Sequence, residues 1–489
     1  MRRGKRTFPQ KVFSPSSRPR PYPKNFTGQF FMVMQWKKLL SARRLGAAGS
    51  AAVQPGRSPF QQDFDRIVFS SSFRKLHDKA QVFPLSDEDN VRTRLTHSME
   101  TASIGRSLGA IAGVGICEKL GESRIRPNHI GEIVAAASLA HDIGNPPFGH
   151  SGEESIRYWF THSPVAAELR KHMNSDEIAD IDRYEGNAQG FRVLTKLEMP
   201  ENHGGMQLTC ATLGAVAKYP ATSSCKDRLP GVSGKKFNFF HSEKDLFAEV
   251  ANTCGLLPNT TGDGWCRHPL AFLVEAADDV TYRIVDFEDG HLLNIIAYWE
   301  LEMLMLKIIG DNGETRERLK LIPNERRRVE MLRAMTLGAL VKQVTKAFLD
   351  NEEKMLAGEL DKPLIELIPS AKVLAEIYDI SIEKIYTYRR AVEIGVAGYE
   401  LTNGLLDILV SATEEYVDAL KRGEKPEPRS WRLLSLLPGS CCQKENKLWM
   451  ESAYCRLQCI LDYFTSMTDT HAVSTFKKMK GISLPGMLF

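Results

Sequence analysis

The pair His141-Asp142 offers an imidazole and a carboxylate side by side, just before Gly144-Asn145-Pro146-Pro147. Adjacent positions on a helix differ by about 100°. Both side chains can reach one ion only where the helix ends and the backbone is free to adjust, and the Gly-Asn-Pro-Pro run supplies that end. Alone, such a pair reads most simply as solvated surface. Two further features change the reading. His97 lies in RTRLTHSME, within a segment of helical apolar spacing, and Asp278-Asp279 interrupts the apolar run PLAFLVEAADDVTYRIVDFEDG. Adjacent carboxylates among Ala and Val are costly to bury unless they meet cations or strong hydrogen bonds. Two imidazoles with two carboxylates suit a divalent ion such as Mn, Fe, Co, Ni or Zn, and Mg where water completes the shell. Such a centre with open positions binds water and phosphate oxygens and makes a nucleophile near neutral pH.

The elements that must position these groups are helices. Val91, Leu95, Met99 and Ala102 recur at helical spacing, which predicts a helix from Val91 to about Gly113 with that stripe inward. A second helix is predicted from His129 to Ala140, with Ile130, Ile133, Val134 and Ala137 on one face. Ser151 and Glu154 form an S-x-x-E pattern that predicts a capping box for the next helix. Leu270 to Phe287 is another predicted helix, in which Asp278, Tyr282 and Asp286 share a face at spacing i, i+4, i+8. Most of 320–420 and 445–470 also reads helical, and strand patterns occur only at 81–85 and 237–241. The expected fold class is mainly α: a helical catalytic bundle, a helical C-terminal region and few short strands. The expected division is a basic head at 1–33, an N-terminal extension at 34–64, a catalytic domain at 65–310 and a helical region at 311–489.

Composition is that of an ordinary globular chain: 489 residues, 43% hydrophobic and 25% charged. No apolar run approaches the roughly 18–20 residues of a membrane span, so no membrane partner is expected. The nine cysteines include no C-x-x-C pair, which argues against a disulfide framework or thiolate zinc site and for a reducing, cytoplasmic setting. The net charge of +4 hides an asymmetry. Residues 1–62 carry 13 Lys or Arg and no acidic residue, whereas the remainder carries 51 basic against 60 acidic residues. The Arg- and Pro-rich head reads as a transit peptide, as a basic nucleic-acid arm, or as the product of a start placed too early, with Met32 or Met34 as the true start. No P-loop, G-x-S-x-G, H-E-x-x-H or zinc-finger spacing is present.

The order H…HD…D, with KAQVFPL, LAHDIGNPPFGHSGEE, YEGNAQGFR and LTCATLGAVAKYP in sequence over about 66–290, resembles the deoxyguanosine triphosphate triphosphohydrolases (dGTPases) of the HD superfamily. The resemblance implies an HD-domain bundle that holds one divalent ion, Mg, Mn or Co, through His97, His141, Asp142 and Asp278. It implies cleavage of a deoxynucleoside triphosphate (dNTP) at the α-phosphorus, releasing deoxynucleoside and tripolyphosphate, with dGTP the expected substrate. His150 and Glu153 match a catalytic His-Glu pair. Gln81 matches a glutamine that binds the 3′-hydroxyl, and Tyr282 a residue that packs under the deoxyribose. Arg94, on the face of His97, is the first choice for a phosphate contact because its fork fits phosphate oxygens. Lys218 is the second, with Lys235 and Lys236 weaker. Asp286, Asn187 and Glu185 stand near the site by position in their motifs. The family also implies a homo-oligomer, often a hexamer, and single-stranded DNA as an effector. Two other readings remain: another HD nucleotidase or phosphodiesterase, and a DNA-binding nucleotide sensor with a vestigial site.

Overall fold

Helix α1 (Arg94–Leu120) and helix α2 (Pro127–Ala140) pack antiparallel along most of their length. This computed structural model describes residues 33–47, 56–83, 91–121, 124–229, 231–259, 264–438 and 447–482. Nearly all of the basic head, and the end of the expected strand at 81–85, lie outside them. The α1–α2 seam is made of small residues: Gly105 faces Ser138, Gly109 faces Ile130 and Gly131, and Gly113 faces Pro127. A Cβ on Gly109 would lie 2.8 Å from the Ile130 carbonyl oxygen and 2.9 Å from the Gly131 Cα, so the helices meet backbone to backbone. Two turns toward the start of α1, the same register sets His97 opposite His141, with ring centroids 5.3 Å apart.

The stripe expected on α1 is therefore only partly the buried one. Met99 is 57% exposed, and the inward face is His97, Ser98, Thr101, Ala102, Gly105 and Gly109. Close helix approach selects small residues there, which an apolar stripe does not register. On α2 the predicted face is observed: Ile130, Ile133, Val134 and Ala137 are all buried.

After His141 the chain turns through Gly144, where a Cβ would lie 2.0 Å from the Gly190 nitrogen. Only glycine lets this loop lie against helix Gly186–Arg192. Helix α3 (His150–His162) follows Phe148 and Gly149, whose φ values are 63° and 58°. The expected Ser151–Glu154 capping box does not form. The positive-φ pair makes the turn, with Gly149 as the N-cap two residues before Ser151; Glu153 points inward, and Glu154 accepts a hydrogen bond from the Tyr399 hydroxyl at 3.0 Å.

Helix α4 (Pro269–Leu292) crosses α1 and α2 and carries Asp278 to them. Its start is capped by His268, whose Nδ1 accepts from the Leu270 N–H while Nε2 donates to the Leu39 carbonyl at 3.0 Å. Helix α5 (Glu325–Asp350) packs on α1 and α4 and shares their core through Leu340, Val344 and Phe348. A second core joins α3 to α6 (Arg389–Lys421), α7 (Ala453–Thr465) and α8 (Asp469–Met479) around Trp159, Phe160, Leu405 and Phe464. The fold is mainly α.

Strand content among the described residues is limited to isolated bridges, such as Ala80–Thr93 and Ala221–Gly264. The segment 237–241 is not a strand. Phe237 and Phe240 enter the second core while Phe239 enters the first, so their spacing reflects a bridge between cores and not a sheet face. No helix of the described residues is long and apolar enough to cross a membrane, and the seven described cysteines form no disulfide.

Two stability outcomes follow from this packing. Gly109→Ala should lose about 1–3 kcal/mol in urea unfolding, despite the better helix propensity of alanine, because the methyl meets backbone. Gly338→Ala on α5, with nothing within 4 Å, should be neutral or stabilising. Burial pulls His268 down to about 4 from an ordinary 6.5. The unfolded chain takes up a proton there that the folded chain refuses, so stability should fall as pH drops from 6.5 toward 4 and be flat above that window. His268→Gln should show a shallower decline across the same range.

Candidate active site

Three helices deliver the metal-type ligands to one point. His97 comes from the first turn of α1, His141 and Asp142 from the end of α2, and Asp278 from the middle of α4. His97 Nε2 lies 3.2 Å and His141 Nε2 3.3 Å from the same Asp278 oxygen, Oδ1, and His141 Nε2 lies 3.5 Å from Asp142 Oδ1. One ligand atom from each of His97, His141 and Asp142 lies within 4.8 Å of the others. Neighbouring ligand atoms around an ion with bonds of about 2.1 Å stand about 3.0–3.4 Å apart. The four side chains therefore fit a divalent ion.

His141 Nδ1 donates to the Ser138 carbonyl at 2.6 Å, which leaves Nε2 as the ring atom that faces the carboxylates. Burial disfavours the His141 charge, but Asp142 and Asp278 outweigh it and raise its pKa. Burial would raise both carboxyls. The charges of His141 and Arg94 hold Asp142 well below the usual range, and those of Lys218 and His141 do the same for Asp278. The neighbouring Asp279 differs: burial beside Glu275 and Asp278 pushes it up to about 7.

Arg94 and Lys218, the expected phosphate contacts, stand behind the ligands. Arg94 Nη1 donates to Asp142 Oδ2 at 2.7 Å, and Lys218 Nζ donates to Asp278 Oδ2 at 2.6 Å. Arg94 also abuts the loop that ends at His150, since a Cβ on Gly149 would lie 2.3 Å from Arg94 Nη2. Asn145 Nδ2 donates to Asp142 Oδ1 at 2.6 Å.

His150 is 74% exposed at its side chain, while Glu153 beneath it is buried. The Glu153 Oε2 oxygen lies 2.9 Å from His150 Nδ1, and its Oε1 accepts from the Gly186 N–H at 2.6 Å. Burial opposes the charge on Glu153, but the His150 hydrogen bond and Lys236 outweigh it and hold the carboxyl at about 2. Glu153 is thus an ionised acceptor that fixes the imidazole and turns its Nε2 outward. Asn187 sits on the helix whose first N–H, Gly186, holds Glu153, and Lys236 pairs with Glu185 at 2.9 Å.

Further along α4, Tyr282 stacks on Tyr386, with centroids 5.7 Å apart and planes 15° apart. The Tyr386 hydroxyl donates to Asp286 Oδ2 at 3.1 Å. Asp286 Oδ1 is buried without a partner, as is Gln81 Oε1. Gln81 follows the Ala80–Thr93 bridge at the start of α1 and precedes Phe83, which packs edge-on against Tyr388. Asp286 thus borders the aromatic pair directly, and Gln81 lies on the segment whose Phe83 meets Tyr388. Tyr386 was not anticipated. It lies on the π-helical turn Ser381–Tyr386, in a stretch without any motif, and only the tertiary fold brings it to Asp286.

The HD domain family model matches residues 94–189. A deoxyguanosinetriphosphate triphosphohydrolase-like protein of Synechocystis sp. is 40% identical, covering 92% of this chain and 100% of its own. One from Pseudomonas aeruginosa is 38% identical with the same coverage. A deoxyguanosinetriphosphate triphosphohydrolase of Salmonella arizonae is 29% identical over 86% of this chain and 94% of its own.

The ligand geometry predicts that Mn²⁺ raises the melting temperature of the purified chain and co-purifies or binds at one equivalent. Asp142→Ala should lose both the shift and the metal measured by atomic absorption. Full metal content in that variant would refute the ligand assignment.

Proposed function

The chain belongs to the dGTPase family of HD-domain proteins, and on that premise we propose that it hydrolyses dNTPs, dGTP first among them, to deoxynucleoside and tripolyphosphate. The observation that carries this reading is the convergence of His97, His141, Asp142 and Asp278 beside a His150–Glu153 pair. A bound Mg, Mn or Co ion supplies Lewis acidity and a water-derived nucleophile near neutral pH.

The protein's own groups do the rest. Arg94 and Lys218 hold the rear oxygens of the two carboxylates and offer positive charge to the triphosphate. Water adds at the α-phosphorus and the bond to the 5′-oxygen breaks. That oxygen leaves with a proton held at His150 Nε2, whose other nitrogen Glu153 fixes. Tyr282 lies under the sugar. Gln81 Oε1, buried and unpartnered, accepts from the 3′-hydroxyl, and the unpartnered Asp286 Oδ1 lies one turn beyond Tyr282 on the same helix. A site with buried acceptors discriminates strongly against an analogue that lacks the donor. Asn187 acts indirectly, through the helix start that holds Glu153.

The proposed catalytic unit is 65–310, with 34–64 as an extension, 311–489 as a helical region and 1–33 as a basic head. The proposed assembly is a cytoplasmic homo-oligomer, hexameric by family likeness, with single-stranded DNA as effector.

The test is a product assay by ³¹P NMR on each dNTP, GTP and dGMP with Mn²⁺ or Mg²⁺. Tripolyphosphate from dGTP and not from GTP is expected. Orthophosphate from dGMP would place the chain with other HD hydrolases, and tripolyphosphate from every dNTP would cancel the guanine preference. His150→Ala should retain metal but lose about 10²–10⁴-fold in turnover, and Glu153→Gln should fall in the same direction. A near-normal rate in His150→Ala would leave it a structural residue.

A further inference from the structure

We propose that Asp469, with Lys79, is a positioning residue: a clamp from the C-terminal helices that sets the loop bearing Gln81 and the loop bearing His150 in register with the metal ligands. This rests on the dNTP hydrolysis proposed above.

Asp469 is the first residue of α8, 319 positions beyond His150, and is 1% exposed. Its two oxygens take two backbone N–H groups from two separate segments of the chain. Oδ1 accepts from Phe148 at 2.9 Å and Oδ2 accepts from Ala80 at 3.0 Å. Phe148 stands two residues before His150, and Ala80 directly precedes Gln81. One carboxylate therefore spans the proposed acid and the proposed sugar contact.

The Phe148 end is strained. Its φ of 63° puts a bulky side chain in the left-handed region, which is unfavourable for any residue with a Cβ. Such a conformation persists only where the surroundings over-determine it. Here the N–H is held by Asp469 and the ring is packed against Gly398 of α6.

Lys79 completes the clamp. Its buried ammonium donates to the Asn145 carbonyl at 2.6 Å and to the Thr465 carbonyl at 2.7 Å, while its own carbonyl accepts from the Arg94 N–H at 2.9 Å. Asn145 in turn holds Asp142. Lys79-Ala80 is thus the crossing point of the start of α1, the metal loop and the α7–α8 corner. Buried ions seldom add net stability over apolar packing of the same volume, whereas they do fix register. A buried carboxylate and ammonium that bond almost wholly to loop backbone fit the second use.

The test compares Asp469→Ala with Thr470→Val. The latter removes the neighbouring tie from Thr470 Oγ1 to Asp78 at 2.9 Å and leaves residues 80 and 148 alone. Asp469→Ala, folded and with full metal content, should lose about 10–100-fold in kcat. It should also lose the preference for dGTP over its 3′-deoxy analogue, and adding Gln81→Ala should change that preference no further. Amide exchange should quicken at 80 and 148, and Thr470→Val should stay within about twofold of the parent throughout. Should Asp469→Ala not fold, Asp469→Asn, which keeps one acceptor, should show a smaller loss of the same pattern. Unchanged preference and exchange, with a rate that falls only with the folded fraction, would overturn the clamp. If the parent protein cleaves no dNTP, the functional reading fails, and the exchange data alone decide whether Asp469 holds the two loops.

Discussion

Two ionised carboxylates, Asp142 and Asp278, face two imidazoles in a buried pocket, and the surrounding structure is organised by the cost of keeping them there. Their charges are met from behind by one guanidinium and one ammonium, Arg94 and Lys218. The two carboxylates are thus matched one for one by two cationic side chains. A divalent ion held by these four ligands would add positive charge to carboxylates that already have cationic partners. A polyanion such as a triphosphate is what such a pocket would attract.

That electrostatic balance depends on a packing constraint. His97 and His141 face each other because α1 and α2 approach closely through Gly105, Gly109 and Gly113, which contribute no side chain of their own to the seam. Asp142 can join them because α2 stops at His141 and the loop through Gly144 lies flat on the 186–192 helix. The same helix lends the Gly186 N–H to Glu153, so one short element supports both the metal loop and the His150 pair. Displacing it would disturb ligand geometry and imidazole orientation together.

The parts legible in the sequence are those whose meaning is local or compositional. The His-Asp pair before a helix-breaking run, the acidic interruption of an apolar helix and the inward face of α2 could all be read directly, and the long motifs carried the family. The inward face of α1 was misread because close packing selects small residues and leaves a large one, Met99, outside. The S-x-x-E pattern misled because Phe148 and Gly149 make the turn, so that Glu153 serves the site instead of a cap. The phenylalanines at 237–240 look like a strand because two cores, not one, draw on them. Tyr386 and Asp469 carry no local signal, since each acquires its role from partners at least 100 residues away.

The two ends of the site differ in how they are satisfied, and this bears on selectivity. At the metal end, the charged groups are already engaged in the Arg94–Asp142 and Lys218–Asp278 pairs, which are charge-assisted, although Arg94 Nε and His97 Nδ1 are buried without a partner. At the aromatic end, Gln81 Oε1 and Asp286 Oδ1 are buried acceptors with nothing to accept. Unsatisfied buried acceptors raise the energy of the empty protein, and a donor of the right position relieves it. Charge alone would bind any triphosphate. On the function proposed above, a hydroxyl that donates to Gln81 Oε1 would relieve one of these oxygens, and that contact would separate a ligand bearing the hydroxyl from one lacking it.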